Sequence, residues 1–195
     1  VFHLGSMHVE VLAGNNPDLK MNPINNQSCV FRVTEGDFSM IFLGDLGEEA
    51  GDRLLGKGYD PKADAVQMAH HGQNGVKESM YQAIGAKYAF WPTPLWLFVN
   101  SRTKQLIPDS ASYQTPEVIG WMRKLKTVNI VSFDHTVLFD TETKILAPGI
   151  SQQINYATNA DGKQIVYYIA TADVEREDVG VWVNYYDRDP GTPEN

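Results

Sequence analysis

The chain has 195 residues, of which 43% are apolar and 11% aromatic, enough for one ordinary domain with a packed core, or somewhat more. Its formal net charge of −8 and pI of about 5.0 argue against tight nucleic-acid binding through a broadly basic surface, while leaving room for a local basic groove. Cys29 is the single cysteine, so no internal disulfide can form, and no apolar run reaches the length of a membrane span.

In chain order, His8 to Leu12 alternates as a half-buried strand does. Residues 14–27 are rich in Asn and Pro and read as a loop. Ser28 to Val33 is a second strand, with Cys29 expected as a buried small hydrophobe. Glu35-Gly36-Asp37 turns the chain into a third strand, Phe38 to Leu43. Glu48 to Lys57 carries helix formers and is ended by Gly56 and Gly58. A fourth strand, Ala65 to Ala69, follows a turn at Pro61. Lys77 to Ile84 reads as a short helix closed by Gly85, and Lys87 to Trp91 as a fifth strand stopped by Pro92.

Residues 92–112 are irregular and aromatic. Trp91, Trp96 and Phe98 there either pack against the rest of a fold or form a stacking wall for a sugar or a base. Thr115-Pro116-Glu117 starts a helix with Val118, Trp121, Met122 and Leu125 at helical spacing. Asn129 to Phe133 and Thr136 to Phe139 read as a hairpin. From about residue 146 the helices stop. Gln152 to Ala157, Gln164 to Thr171 and Val179 to Tyr186 are strands, with a turn at Asn159 to Gly162 and a tail over residues 187–195. The expected division is residues 1–145 as one unit and 146–195 as a β-rich extension or the start of a second β domain.

Two apolar runs end in metal-binding residue types. Met40 to Leu43 delivers Gly44-Asp45, and Ala65 to Ala69 delivers His70-His71-Gly72. A strand–helix–strand unit brings such residues together at the carboxyl edge of a sheet, where a metal site is built readily. The bland alternatives are a turn at Gly44-Asp45, a cap or loop pair at His70-His71, and loop hydrogen bonding by Asn25, Asn26 and Ser28. His3, His8 and His135 read as ordinary surface or turn residues.

The order N-N-x-S-x-V (Asn25, Asn26, Ser28, Val30), then Gly44-Asp45, then Asp64 with His70-His71-Gly72, resembles the metallo-β-lactamase fold. Within it, the pattern looks most like competence-type (ComEC-like) hydrolase domains, and the helix T-P-E-V-I-G-W-M, Thr115 to Met122, sits where those place a helix after the last ligand loop. The resemblance implies an α+β architecture, one half of an αββα sandwich, followed by additional antiparallel strands. It implies zinc, one or two ions, with Asp45, His70 and His71 as ligands, and His70 favoured as the match to the last histidine. Asp45 and His71 would carry the catalysis, and Asn25, Ser28 and Trp96 would meet substrate. The function implied is metal-dependent hydrolysis of phosphoester-type bonds.

The family's main metal motif, H-x-H-x-D-H, is absent: His3, His8, His70, His71 and His135 are all the histidines present, and none has that spacing. The chain begins at Val1 rather than Met and is expected to be the carboxyl-terminal half of the fold, cut from a longer protein. Alone it should be inactive and bind zinc poorly. Its expected partners are the missing amino-terminal half and, through exposed apolar surface, a second copy of itself. The substrate stays open among small molecules, glycans and nucleotides. The competing reading is a non-catalytic binding or surface-interaction module on a degenerate metal-fold scaffold.

Overall fold

A computed structural model describes residues 1–73, 75–94, 97, 115–132 and 139–142, and the strands 152–158 and 164–170. The strands are β1 (Phe2–Leu4), β2 (Met7–Ala13), β3 (Val30–Glu35), β4 (Phe38–Phe42), β5 (Ala65–Gln67), β6 (Tyr88–Trp91), β7 (Val128–Val131), β8 (Gln152–Thr158) and β9 (Gln164–Ala170). The helices are α1 (Glu48–Gly56), α2 (Glu78–Ile84) and α3 (Thr115–Lys124). The strands form one nine-stranded sheet in sequence order. β1 to β4 pair antiparallel, β4 to β7 parallel, and β7 to β9 antiparallel. The result is a mixed α+β architecture.

Every parallel connection contains a helix, and all step the same way along the sheet. Connections of one hand then lay the helices on one face. The main core follows: Ile41, Val66, Ala89, Trp91 and Val131 from the strands meet Leu54 of α1, Met80 and Tyr81 of α2, and Ile119 and Met122 of α3. The opposite face is apolar too, because strands between parallel neighbours alternate apolar with apolar. There Phe38, Ala65, Tyr88 and Ile130 are buried, with Met40, Phe90, Val128 and Phe139 half-buried against them. At the β1–β2 margin this face becomes open: Phe2, Leu4 and Val11 are 47%, 55% and 51% exposed.

Most expected elements of the described residues are present within a residue or two. β1 has no counterpart among the expectations; three residues are too few for alternation to register, and its pairing with β2 creates it. The fourth strand is shorter than expected. β5 ends at Gln67, and Ala69–Gly72 is a 3-10 turn, because His70 (φ 47°) and His71 (φ 61°) are left-handed and cannot extend a strand. Cys29 corrects the expectation of burial. It lies just ahead of β3 and is exposed, since Val30 takes the inward position. β8 continues the sheet of the first unit by pairing with β7. Val179 to Tyr186, Asn159 to Gly162, Thr136, His135 and the 187–195 tail lie outside the described residues.

The long loop before β3 is fastened to α1 by a side-chain network. Arg53 grips both oxygens of Asp18, at 2.8 and 2.6 Å, and also donates to Asn16 Oδ1 at 3.1 Å. Arg53 pulls the Asp18 carboxyl down to about 2, first through the hydrogen bond and also through its charge. A depressed folded pKa means stability present above the unfolded value of about 3.8 and lost as pH falls toward 2. Asp18→Asn should therefore flatten the acid side of the stability profile between those limits while leaving the profile above pH 5 nearly parallel to the parent's. Urea midpoints measured across that range check this; an unchanged acid limb would show that the pair is too solvated to matter.

Candidate metal and catalytic site

The candidate site is built where β4 and β5 deliver their carboxyl ends side by side. Three devices hold the ends in register. Gly44 turns the chain after β4 with φ 57°, a conformation that a side chain would strain. Its carbonyl accepts a hydrogen bond from His70 N at 2.9 Å, tying one strand end to the other. Gln67 closes the gap between them, its Oε1 accepting from Leu43 N (3.1 Å) and Gly44 N (2.8 Å). Ser28 Oγ accepts from Asp45 N at 3.1 Å, so the loop before β3 fixes the third side.

The next turn is strained in a defined way. His70, His71 and Gly72 all have positive φ, at 47°, 61° and 82°. A left-handed residue other than glycine costs on the order of 1–3 kcal/mol, and such strain concentrates at functional sites. Here it swings His71 back over the strand ends. His71 Nδ1 lies 2.7 Å from the Pro92 carbonyl oxygen, at the end of β6. A carbonyl only accepts, so Nδ1 carries the proton and donates it. Nε2 then faces Asp45, 3.9 Å from its Oδ1, with the two side chains 43% and 47% exposed.

This arrangement has a chemical consequence. In the neutral ring Nε2 presents a lone pair toward a carboxylate, and two acceptors do not attract. The pairing becomes favourable when a cation joins it: a second proton on Nε2, or a metal ion. Metal-ligating histidines have this form, one nitrogen donating to a carbonyl and the other free to ligate. Ligand distances of about 2.0–2.2 Å let one ion span a gap of roughly 4 Å between an oxygen and a nitrogen. The donor set is partial. Among the described residues, no group of three or more His, Cys, Asp or Glu side chains converges as a metal site, and a catalytic zinc has three protein ligands. The residues present fit a metal as two of its donors and no more.

The other candidates are distributed as follows. His71 lies beside Asp45; His70 contributes its backbone N–H to Gly44, and its ring centroid is 6.0 Å from that of His71. Ser28 supports the Asp45 backbone. Asn25 lies in a 3-10 turn, half-buried, with its carbonyl accepting from Ser28 N at 3.0 Å. Trp96 lies outside the described residues. Asp64 stands at the other end of β5, accepting from Ser39 N and Oγ, each at 2.8 Å. Cavities of about 350 and 570 Å³ open beside Ser39 and Asp64 and beside Glu35 and Glu142. Neither is lined by Asp45 or His71.

Gln67 and the Pro92 carbonyl are parts of the candidate site that sequence reasoning missed. Gln67 left a trace, a polar residue closing the apolar run A-V-Q-M-A beside Gly44-Asp45. The carbonyl of Pro92 left none, since every residue has one. No protein-family model matches this chain, and no curated protein matches it.

Proposed function

We propose that this chain supplies one edge of a divalent-metal hydrolase centre of the metallo-β-lactamase type, acting on phosphoester-type bonds in the full-length parent. The observation that supports it best is the Pro92–His71–Asp45 chain, in which an oriented imidazole nitrogen and a carboxylate share one small gap. Asp45 is the anionic donor. His71 is the neutral donor, held in one tautomer by the Pro92 carbonyl with Nε2 toward the gap. His70 stays a second imidazole for the same rim. Ser28 and Gln67 hold the Asp45 turn rigid. Zinc, when bound, would supply a water acidic enough to attack as hydroxide near neutral pH.

The remaining ligands would come from a segment bearing H-x-H-x-D-H, the amino-terminal half of the fold. The second apolar sheet face supports that completion, since a further layer packed on it would give the αββα sandwich and cover Phe2, Leu4 and Val11. Without such a layer, a second copy of the chain is the alternative cover.

Co-expression with the upstream segment, followed by metal analysis and assay on a generic phosphodiester, tests this. Asp45→Ala and His71→Ala should each lower turnover at least tenfold and reduce bound zinc; turnover equal to the parent in both would reject the proposal. The competing reading, a binding module without catalysis, draws on the convergence of only two donors among the described residues. It predicts an assembled parent with neither zinc nor turnover.

A further inference from the structure

We propose a second, separate cation site: a surface chelate formed by His3 and His8 across the β1–β2 hairpin, selective for a divalent first-row transition ion. The two residues are direct cross-strand partners. Their rings stack at 5.2 Å between centroids with planes 22° apart, and both side chains are exposed. Gly5, at φ 62° in the turn between them, sets the register that makes them partners.

Two imidazoles held directly opposite are poor company for each other when both are protonated, because like charges facing across a ladder destabilise it. One cation shared by both neutral rings removes that conflict. Imidazole suits zinc, nickel and copper, with copper(II) bound tightest in the usual order. An ion with two nitrogens at about 2.0–2.1 Å requires those nitrogens to be roughly 3 Å apart. The stacked rings carry their lone pairs in nearly parallel planes, so both must rotate to turn a nitrogen toward a shared ion, a rotamer adjustment open to exposed side chains. The second imidazole binds at the high effective concentration imposed by the hairpin, which raises affinity over that of a lone histidine. Water completes the coordination, so the site is exchangeable rather than structural. It also links β1, a three-residue strand at the sheet margin, to its neighbour.

The test uses the whole chain carrying Asp45→Ala and His71→Ala, so that the rim site cannot contribute. Copper(II) and zinc are titrated separately by calorimetry, with histidine ring resonances followed for zinc. The expected result is one ion per chain, copper tighter than zinc, with zinc shifting the His3 and His8 ring signals together. His3→Ala and His8→Ala should each weaken binding tenfold or more, and both exposed substitutions should leave the circular dichroism unchanged. Equal binding in parent and variants, or an effect of only one of the two, overturns the chelate. The rim site stands or falls independently, because its assay reads Asp45 and His71 alone.

Discussion

Gly72→Ala is expected to destabilise the protein by roughly 3–5 kcal/mol, combining overpacking with a left-handed backbone. A Cβ built at Gly72 overlaps Cε3 and Cζ3 of Trp91. Trp91 cannot retreat easily: it is 1% exposed, and its Nε1 donates to the buried Asn129 Oδ1 at 2.9 Å. The position also has φ 82°, so the substitution strains the backbone even before the ring is reached. Gly58→Ala separates the two effects. It has φ 73° with nothing within 4 Å of an added Cβ, and should cost only about 1–2 kcal/mol. Urea unfolding of both variants gives the comparison. Equal losses would mean that Trp91 moves aside freely. Because Gly72 follows His71 directly, the same variant should also disturb the hydrogen bond from His71 Nδ1 to Pro92, and the His71 ring resonances should report it.

Asn26→Ala should cost about 2–4 kcal/mol, near the upper end of single-residue effects, because one fully buried side chain makes three hydrogen bonds that are lost together. Asn26 is fully buried. Its Nδ2 donates to Met21 O at 2.7 Å and to Glu49 Oε2 at 2.8 Å, and its Oδ1 accepts from Ala50 N at 3.2 Å. The last bond matters because α1 starts at Gly47 with no side-chain cap of its own. Asn26 caps it from across the fold, satisfying one of the donors a helix start leaves open. Glu49 titrates below its ordinary range, chiefly because of the Asn26 hydrogen bond. Its folded pKa is lowered, so its contribution is present at neutral pH and fades as pH falls through the acid range. In Asn26→Ala the Glu49 carboxyl should return toward 4.5, and the acid dependence of stability should weaken with it. Denaturant midpoints with carboxyl titration by NMR measure both. An unchanged Glu49 titration would break the link between cap and carboxylate.

The loop that Asn26 anchors is also the one that brings Ser28 to the Asp45 backbone, so this variant should loosen the rim as well as the helix. Asn25, Asn26 and Ser28 were legible in the sequence as a group of polar loop residues. Which of them buttresses the core was not, since all are small polar residues and only burial distinguishes Asn26.

Composition and periodicity by themselves determined much of this protein. Apolar alternation and helix punctuation located β2 to β4, α1, α2, β6 and the start of α3, because those signals are local and each element is long enough to carry them. The two strand ends bearing Asp45 and His70-His71 were visible for the same reason. The tertiary structure alone decided that His71 Nε2 lies 3.9 Å from Asp45, because that placement rests on three consecutive left-handed residues and on a carbonyl of Pro92 brought in by a different strand. It likewise decided that β5 stops at Gln67 and that Gln67 clamps Gly44. The facing of His3 and His8 is of this kind too. Local pattern reports what each segment would bury; which atoms then meet depends on register and turn geometry, fixed only when distant segments pack.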